Sequence, residues 1–219
     1  MNSSYLFFKR IFDIVASFLS IIFFLIPWIF IGIFIKIQSP GPAIFRPIRI
    51  GKDGKPFVLY KFRSMRVDSG AIHVTTLRND TRIFPFGSFL RKSKLDETPQ
   101  LINILKGEMS VIGPRPEDKI NADRLYVGKY KEILSVKPGL SSPASLYDYT
   151  HGELYETEEE YVNEFEPKKL DVELYYVKHR TMLYDLQVVW RTMVTILQIV
   201  LGKADFEEPE EVLLVKQID

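Results

Sequence analysis

From Ile14 to Ile35 the chain is uncharged and predominantly apolar, a run of about the length needed to span a bilayer. Lys9, Arg10 and Asp13 precede the run, and Lys36, Arg46, Arg49 and Lys52 follow it. A signal peptide shares the basic start, but this run is long for one and no small-x-small cleavage site follows. A spanning helix puts its flanks on opposite faces, whereas positive residues on both sides favour the same cytoplasmic face. A re-entrant helix that enters one leaflet and returns satisfies both flanks. It also uses Pro27, which removes a backbone hydrogen bond mid-run at a cost of about 3 kcal/mol and bends or breaks the helix there. A kinked spanning helix is the alternative. Asp13, four residues after Lys9, is spaced to pair with it.

Ser39-Pro40-Gly41-Pro42 ends this helix in a rigid turn. The extended runs Ala43 to Ile50 and Pro56 to Phe62, joined by Gly51-Lys52-Asp53-Gly54-Lys55, predict a β-hairpin. Residues 67–82 read as a polar loop and Phe84 to Lys92 as a short helix carrying Arg91. Pro99 in a first turn, apolar Leu101, Ile102, Ile104 and Leu105, and Gly107 as a stop predict a further helix with Asp96 near its N-cap. Met109 to Ile112 predicts a short buried strand, Glu117 to Leu134 a helix, and Lys137 to Pro143 a loop. Lys168 to Leu201 is helical with breaks, and its apolar face, including Leu186, Val189, Trp190, Met193 and Leu197, predicts mostly core packing. The fold class is α+β, predominantly helical. Its expected parts are a re-entrant helix at 1–38, a compact domain at 39–203 with a small hairpin and amphipathic interfacial helices, and an acidic extension at 204–219. That extension is either partner-binding or loosely ordered.

Composition narrows the chemistry. With 29 Lys and Arg against 28 Asp and Glu, no overall charge favours nucleic acid, and any polyanion site must be local. Residues 36–94 are that local excess, rich in Lys and Arg with few acids. Absence of cysteine excludes disulfides, zinc-thiolate sites and thiol nucleophiles. His73, His151 and His179 are too scattered for a zinc pair, and no phosphate loop, dinucleotide fingerprint or Gly-x-Ser-x-Gly elbow occurs.

What remains is the acidic pair Asp96-Glu97 close to cations. Asp96 is either a helix cap or a carboxylate held ionised beside an anion site. Lys61, Arg63 and Ser64 present donors suited to phosphate oxygens, or they guard a sheet edge. Arg115, fixed between Pro114 and Pro116, suits a bidentate grip on phosphate or carboxylate, or is solvated in a turn. An acidic pair, cations and a lipid-embedded helix together point to phosphate transfer at a membrane.

Seven segments extend that reading. They are Phe8-Lys9-Arg10-Ile11-Phe12-Asp13, Ser39-Pro40-Gly41-Pro42, Tyr60-Lys61-Phe62-Arg63-Ser64-Met65, Leu95-Asp96-Glu97-Thr98-Pro99-Gln100-Leu101, Gly113-Pro114-Arg115-Pro116, Lys137-Pro138-Gly139-Leu140 and Tyr175-Tyr176. Through them the chain resembles the monotopic phosphoglycosyl transferases, the small catalytic core of the bacterial sugar transferases. The resemblance implies transfer of a sugar 1-phosphate from a UDP-sugar to polyprenol phosphate, with UMP released, at the cytoplasmic face of a bacterial inner membrane. It implies Asp96 as covalent nucleophile and Mg²⁺ ligand, Glu97 as its assistant, and Lys61, Arg63, Arg91 and Arg115 as phosphate-binding cations. The small residues and hydroxyls of the Lys137 to Pro143 loop, Pro138, Gly139 and Ser141 among them, suit approach to a nucleotide-sugar, or they simply turn the chain; a homodimer or a downstream glycosyltransferase is the expected protein partner. The chain departs from the family pattern at Ile26-Pro27, where Ser-Pro is usual, at Pro47, and over Ser141 to Ser145. The acidic residue usually found two places before the tyrosine pair is Glu173. The rival readings are a non-enzymatic membrane scaffold and an aspartyl-phosphate hydrolase that uses water as acceptor.

Overall fold

The computed structural model describes residues 3–67, 81–155 and 157–216. Most of the expected polar loop at 67–82, with Arg78 and His73, lies outside them. The apolar run forms one helix, α1 (Ser3–Gln38), long and apolar enough to cross a membrane by length and composition. The expected break is corrected here: the helix continues through Pro27, because losing one backbone donor bends a helix without ending it.

α1 lies against the rest of the chain through both halves. Near its start, Asp185 accepts hydrogen bonds from Lys9 Nζ at 2.7 Å and from Tyr5 Oη at 2.9 Å, and the Tyr176 hydroxyl donates to its other oxygen at 2.7 Å. Arg10 donates to the carbonyls of Ile104 and Leu105 at 2.7 and 2.9 Å. Asp13 Oδ1 accepts from Ser110 Oγ and the Val111 amide, both at 2.9 Å. The Lys9–Asp13 pairing predicted from spacing gives way to these contacts, since each side chain reaches a buried partner across the interface. In the second half, Trp28 Nε1 donates to Thr98 Oγ1 at 2.9 Å, and Ile31 and Ile35 join Phe62, Phe84 and Leu90 in a core cluster. The outer face leaves Phe7, Phe18, Phe23, Ile26, Phe30 and Ile37 exposed.

The hairpin forms in two antiparallel steps. β1 (Ile44–Phe45) pairs with β4 (Lys61–Phe62), and β2 (Ile48–Ile50) pairs with β3 (Pro56–Val58). α2 (Pro85–Lys92) packs on the segment after β4 at Gly87, where a Cβ would stand 2.1 Å from the Ser64 carbonyl oxygen. A 3-10 turn (Leu95–Gln100) then leads into α3 (Leu101–Lys106), ended by Gly107 in the left-handed region. Arg10 therefore binds carbonyls in the last turn of α3, where the Ile104 carbonyl also accepts from the Gly107 amide at 3.0 Å.

β5 (Ser110–Ile112) is the expected buried strand, and it pairs in parallel with β6 (Gly139–Ser141). The 137–143 segment predicted as a loop is thus partly strand, stabilised by a partner distant in sequence. Here the backbones touch: a Cβ on Gly139 would fall 2.1 Å from the Gly113 amide nitrogen. The helix predicted over 117–134 divides into α4 (Lys119–Leu125) and a 3-10 stretch (Gly128–Ser135), with Gly128 at φ 54° between them. α5 (Pro143–His151), α6 (Glu158–Glu160), α7 (Glu166–His179) and α8 (Met182–Val200) complete the domain.

α8 corrects another expectation. Val188 is buried and Val189 packs beside it, but Leu186, Trp190, Met193, Leu197 and Leu201 are exposed, so most of the stripe faces outward. The acidic tail folds back as α9 (Glu210–Val215): Glu211 receives both Arg191 nitrogens at 2.6 and 2.9 Å and the Tyr184 hydroxyl at 2.7 Å, while Val212 enters the core.

Asp185 is the buried acceptor on which the start of α1 depends. Asp185→Ala leaves the Lys9 ammonium and two phenols facing an apolar gap, and should cost about 3–5 kcal/mol. Thermal unfolding in detergent, compared with an exposed control such as Asp123→Ala, checks this.

Candidate active site

Lys94 shapes the turn that bears the acidic pair. Its backbone sits in the left-handed region at φ 56° and ψ 15°, so the chain leaves α2 and re-enters as the 3-10 turn rather than as a regular helix start. Lys94, not Asp96, is therefore the N-cap residue, and capping fails as an account of Asp96. Thr98 Oγ1 donates to the Leu95 carbonyl at 2.7 Å, and Trp28 of α1 holds that same hydroxyl.

Asp96 and Glu97 are both buried. Lys61 of β4 lies 3.0 Å from Asp96 Oδ2 and 3.6 Å from Glu97 Oε1, and Arg115 Nη2 lies 3.1 Å from Glu97 Oε1. Burial by itself would raise the Glu97 pKa. Arg115, Lys61 and Lys94 outweigh it and hold this carboxyl well below the usual carboxylate range. Glu97 in turn raises Arg115, so each keeps the other charged. Asp96 differs in one atom: Oδ1 is buried and has no hydrogen-bond partner among the described residues. An orphaned carboxylate oxygen beside a charge-neutralised partner is placed to meet an electrophile or a cation.

Arg115 is held at its backbone as well as by the flanking prolines. Its amide donates to Glu173 Oε1 at 3.0 Å, and its carbonyl accepts from the Tyr126 hydroxyl at 3.2 Å. Ser142 donates to the same Glu173 oxygen at 3.0 Å, tying Arg115 to the start of α5. Burial pushes the Glu173 carboxyl up to about 7.

The other predicted residues divide. Arg91 is half-buried in the last turn of α2, and no carboxylate among the described residues pairs with it. Arg63 is placed elsewhere: its guanidinium donates to Ser39 Oγ at 2.8 Å, to the Pro40 carbonyl at 2.9 Å and to the Ser39 carbonyl. It clamps the turn after α1, because burial against that turn offers carbonyls which water would otherwise satisfy. Pro138, Gly139 and Ser141 also serve packing. The Pro138 carbonyl accepts from the Ser110 amide at 2.8 Å, Gly139 permits the contact with Gly113, and Ser141 Oγ lies 2.8 Å from Thr192 Oγ1.

Sequence reasoning named Lys94 only as part of the basic stretch before the acidic pair, and it missed Tyr149 and Asp148. Lys94 Nζ sits 3.6 Å from the centre of the Tyr149 ring, and burial pushes its ammonium down to about 8. Tyr149 is raised by burial and by Glu97. Asp148 accepts from the Tyr161 hydroxyl at 2.9 Å and faces Lys169, which with Arg115 and Lys94 outweighs burial and lowers its pKa. An acidic-aromatic pair within a helix has no local signature; only its distant neighbours reveal it.

The resemblance implies Mg²⁺. Among the described residues no group of three or more His, Cys, Asp or Glu is clustered to hold a metal. One carboxylate fits nonetheless, because Mg²⁺ bound with a phosphate substrate needs few protein ligands, and Asp96 Oδ1 is a hard, unpartnered oxygen.

Glu173 gives the site a pH signature. Its folded pKa of about 7 stands above the ordinary 4.5, so the folded state holds the extra proton between those values. Its favourable contribution is present below pH 4.5 and lost as pH rises towards 7, by about 3 kcal/mol in all. In thermal unfolding from pH 4.5 to 8, Glu173→Gln should fall less steeply than the parent chain; parallel curves would refute the assignment.

Residues 4–199 match the bacterial sugar transferase family. The chain is 35% identical over 188 residues to the UDP-glucose:undecaprenyl-phosphate glucose-1-phosphate transferase of Escherichia coli, covering 84% of itself and 39% of that longer protein. It is 36% identical over 201 residues to the exopolysaccharide production protein PSS of Rhizobium leguminosarum, covering 85% of itself and 94% of that protein. It is 43% identical over 126 residues to a Bacillus subtilis putative undecaprenyl-phosphate N-acetylgalactosaminyl 1-phosphate transferase, covering 56% of itself and 69% of that protein. With its acidic pair, paired cations and apolar helix in one site, this chain belongs to the bacterial sugar transferase family.

Proposed function

We propose that the protein moves a sugar 1-phosphate from a UDP-sugar to a polyprenol phosphate such as undecaprenyl phosphate, through a covalent Asp96 intermediate, in the first membrane step of a glycoconjugate or exopolysaccharide. The observation that carries this reading is the buried, unpartnered Asp96 Oδ1 beside Glu97, Lys61 and Arg115. The names of the similar transferases support the substrate classes.

In the first half-reaction Asp96 Oδ1 attacks the β-phosphorus. An acyl-phosphate P–O bond forms, and the bond to the bridging oxygen breaks, its electron pair leaving with UMP. Lys61 keeps Oδ2 in place so that the free lone pairs stay on Oδ1. Arg115, already oriented by Glu173, faces the negative charge carried by the phosphates, and Arg91, with no carboxylate partner among the described residues, is a second cation offered from the last turn of α2. Mg²⁺, when bound by Asp96 and the phosphates, would supply further neutralisation. In the second half-reaction a polyprenol phosphate oxygen attacks the same phosphorus and Asp96 leaves as carboxylate. Glu97, held ionised far below the usual carboxylate range, is too weak a base for that phosphate; it acts by keeping Arg115 and Lys61 at the site while the acceptor enters as its dianion.

The acceptor is a lipid, and α1 brings the domain to it. A helix whose two halves both touch the same domain favours one membrane face, with its apolar side in one leaflet. The exposed Leu186, Trp190, Met193 and Leu197 of α8 suit the interfacial plane. We place the domain on the cytoplasmic face of the bacterial inner membrane. An unpartnered buried oxygen is a costly feature in a scaffold that does no chemistry, which weighs against the non-enzymatic reading.

Two experiments test the reading. With radiolabelled UDP-sugar, polyprenol phosphate and Mg²⁺, Asp96→Asn should lower turnover by about three orders of magnitude or more. Without acceptor, the parent chain should retain hydroxylamine-labile sugar label; wild-type turnover in Asp96→Asn, or release of free sugar phosphate to water, would defeat the mechanism. Because the chain has no cysteine, single cysteines at 3 and 38 report topology cleanly. Both should be labelled from the cytoplasmic side, and labelling from opposite sides would restore the spanning helix.

A further inference from the structure

Around the carboxylate pair, Asp96, Glu97 and Asp148 face the cations Lys61, Arg115, Lys169 and Lys94. Lys61 touches both members of the pair, Arg115 touches Glu97, and Lys169 faces Asp148 at 3.8 Å. Lys94 acts on Glu97 and Asp148 only from a distance and makes no direct ion pair with a carboxylate among the described residues. Its ammonium carries three donors, and among the described residues its close partner is the π-face of Tyr149 at 3.6 Å, which accepts no conventional hydrogen bond. The Tyr149 hydroxyl likewise has no hydrogen-bond partner among the described residues, while the residue packs against the core cluster that contains Ile112 and Leu146. Two sets of free donors therefore stand together next to the nucleophile.

The backbone at Lys94 strengthens the case. At φ 56° the position favours Gly or Asn, and a lysine there is strained. Strained residues of this kind concentrate at sites where the surrounding structure holds them for use. The twist turns the side chain from the start of the catalytic turn onto α5, an element that otherwise sends only Asp148 toward the cations.

We propose that Lys94, seated on Tyr149, is a further substrate-contacting residue that takes a phosphate oxygen of the nucleotide diphosphate. This rests on the transferase reading. Tyr149 positions the ammonium through its ring and offers its hydroxyl to the same phosphate or to the sugar. The diphosphate supplies the direct anionic partner that Lys94 lacks among the described residues, without competing for Lys61 or Arg115.

Titrating UDP and, separately, uridine into the full chain in detergent with Mg²⁺ tests this by calorimetry. Lys94→Met and Lys94→Gly should each weaken UDP binding about tenfold or more and leave uridine binding unchanged, because the lost contact is to phosphate. The KM for UDP-sugar should rise in step, and Lys94→Arg should restore most of the affinity. Tyr149→Leu should lose more than Tyr149→Phe, which keeps the ring. Lys94→Gly accepts the positive φ, so it decides the matter if Lys94→Met fails to fold. Unchanged UDP affinity in Lys94→Gly, or equal losses for UDP and uridine, overturns the proposal. Failure of the transferase reading is seen separately, as wild-type turnover in Asp96→Asn.

Discussion

The structure depends on a polar seam along an otherwise apolar helix. Lys9, Arg10, Asp13 and Trp28 of α1 face inward, and each meets a specific partner: Asp185, the end of α3, β5 and Thr98. Buried charges of this kind contribute little net stability, but they fix register, since a helix rotated or slid by one residue would leave them unpaired. An apolar helix alone would have no preferred rotation against lipid. The seam also brackets the catalytic turn, with Arg10 holding the carbonyls of α3 just after it and Trp28 holding Thr98 within it. Anchor and site are therefore one mechanical unit, in which α1 fixes the position of the turn that bears Asp96.

The acidic pair works by inequality. Two adjacent carboxylates removed from water repel each other, and the lower-energy solution is to give them different partners. Glu97 takes Arg115 and a share of Lys61, while Asp96 takes Lys61 through one oxygen and leaves the other bare. The bare oxygen is tolerable only because the neighbouring charge is already neutralised. Asp96 and Glu97 are thus distinguished by the elements that reach them, β4 for both and the Gly113 to Pro116 turn for Glu97 alone.

What was legible in the sequence followed from short-range chemistry. The hairpin announced itself through Gly51 to Lys55, the buried strand through Met109 to Ile112, and restrained Arg115 through its two prolines. The acidic pair and Lys61 could be named, and they do meet. The misreadings share a cause, which is partners far along the chain. β6 is a strand because β5 lies beside it, and Arg63 serves the Ser39-Pro40 turn. The spacing of Lys9 and Asp13 suggested a pair that tertiary partners then separated. No periodicity marks the left-handed twist at Lys94 or the approach of Tyr149, for both exist only once α5 has packed. The outward stripe of α8 was ambiguous for another reason: an apolar face reads the same whether protein or lipid covers it.

The same distance explains how the site is protected until the fold is complete. Its cations come from β4, from the turn after β5, from the position before the catalytic turn and from α7, and none is close in sequence to all the others. Arg115 is aimed only when Glu173 of α7 accepts its amide, and Glu173 is itself tied to Ser142 at the head of α5. Gly113 and Gly139 must then touch for β5 and β6 to hold that turn in place. A partly folded chain would carry Asp96 without its neutralising set, and a solvated carboxylate is a poor nucleophile toward a charged phosphate. The charge arrangement that the proposed reaction needs around Asp96 is therefore complete only when α1 is seated and α5 and α7 are packed beside the turn.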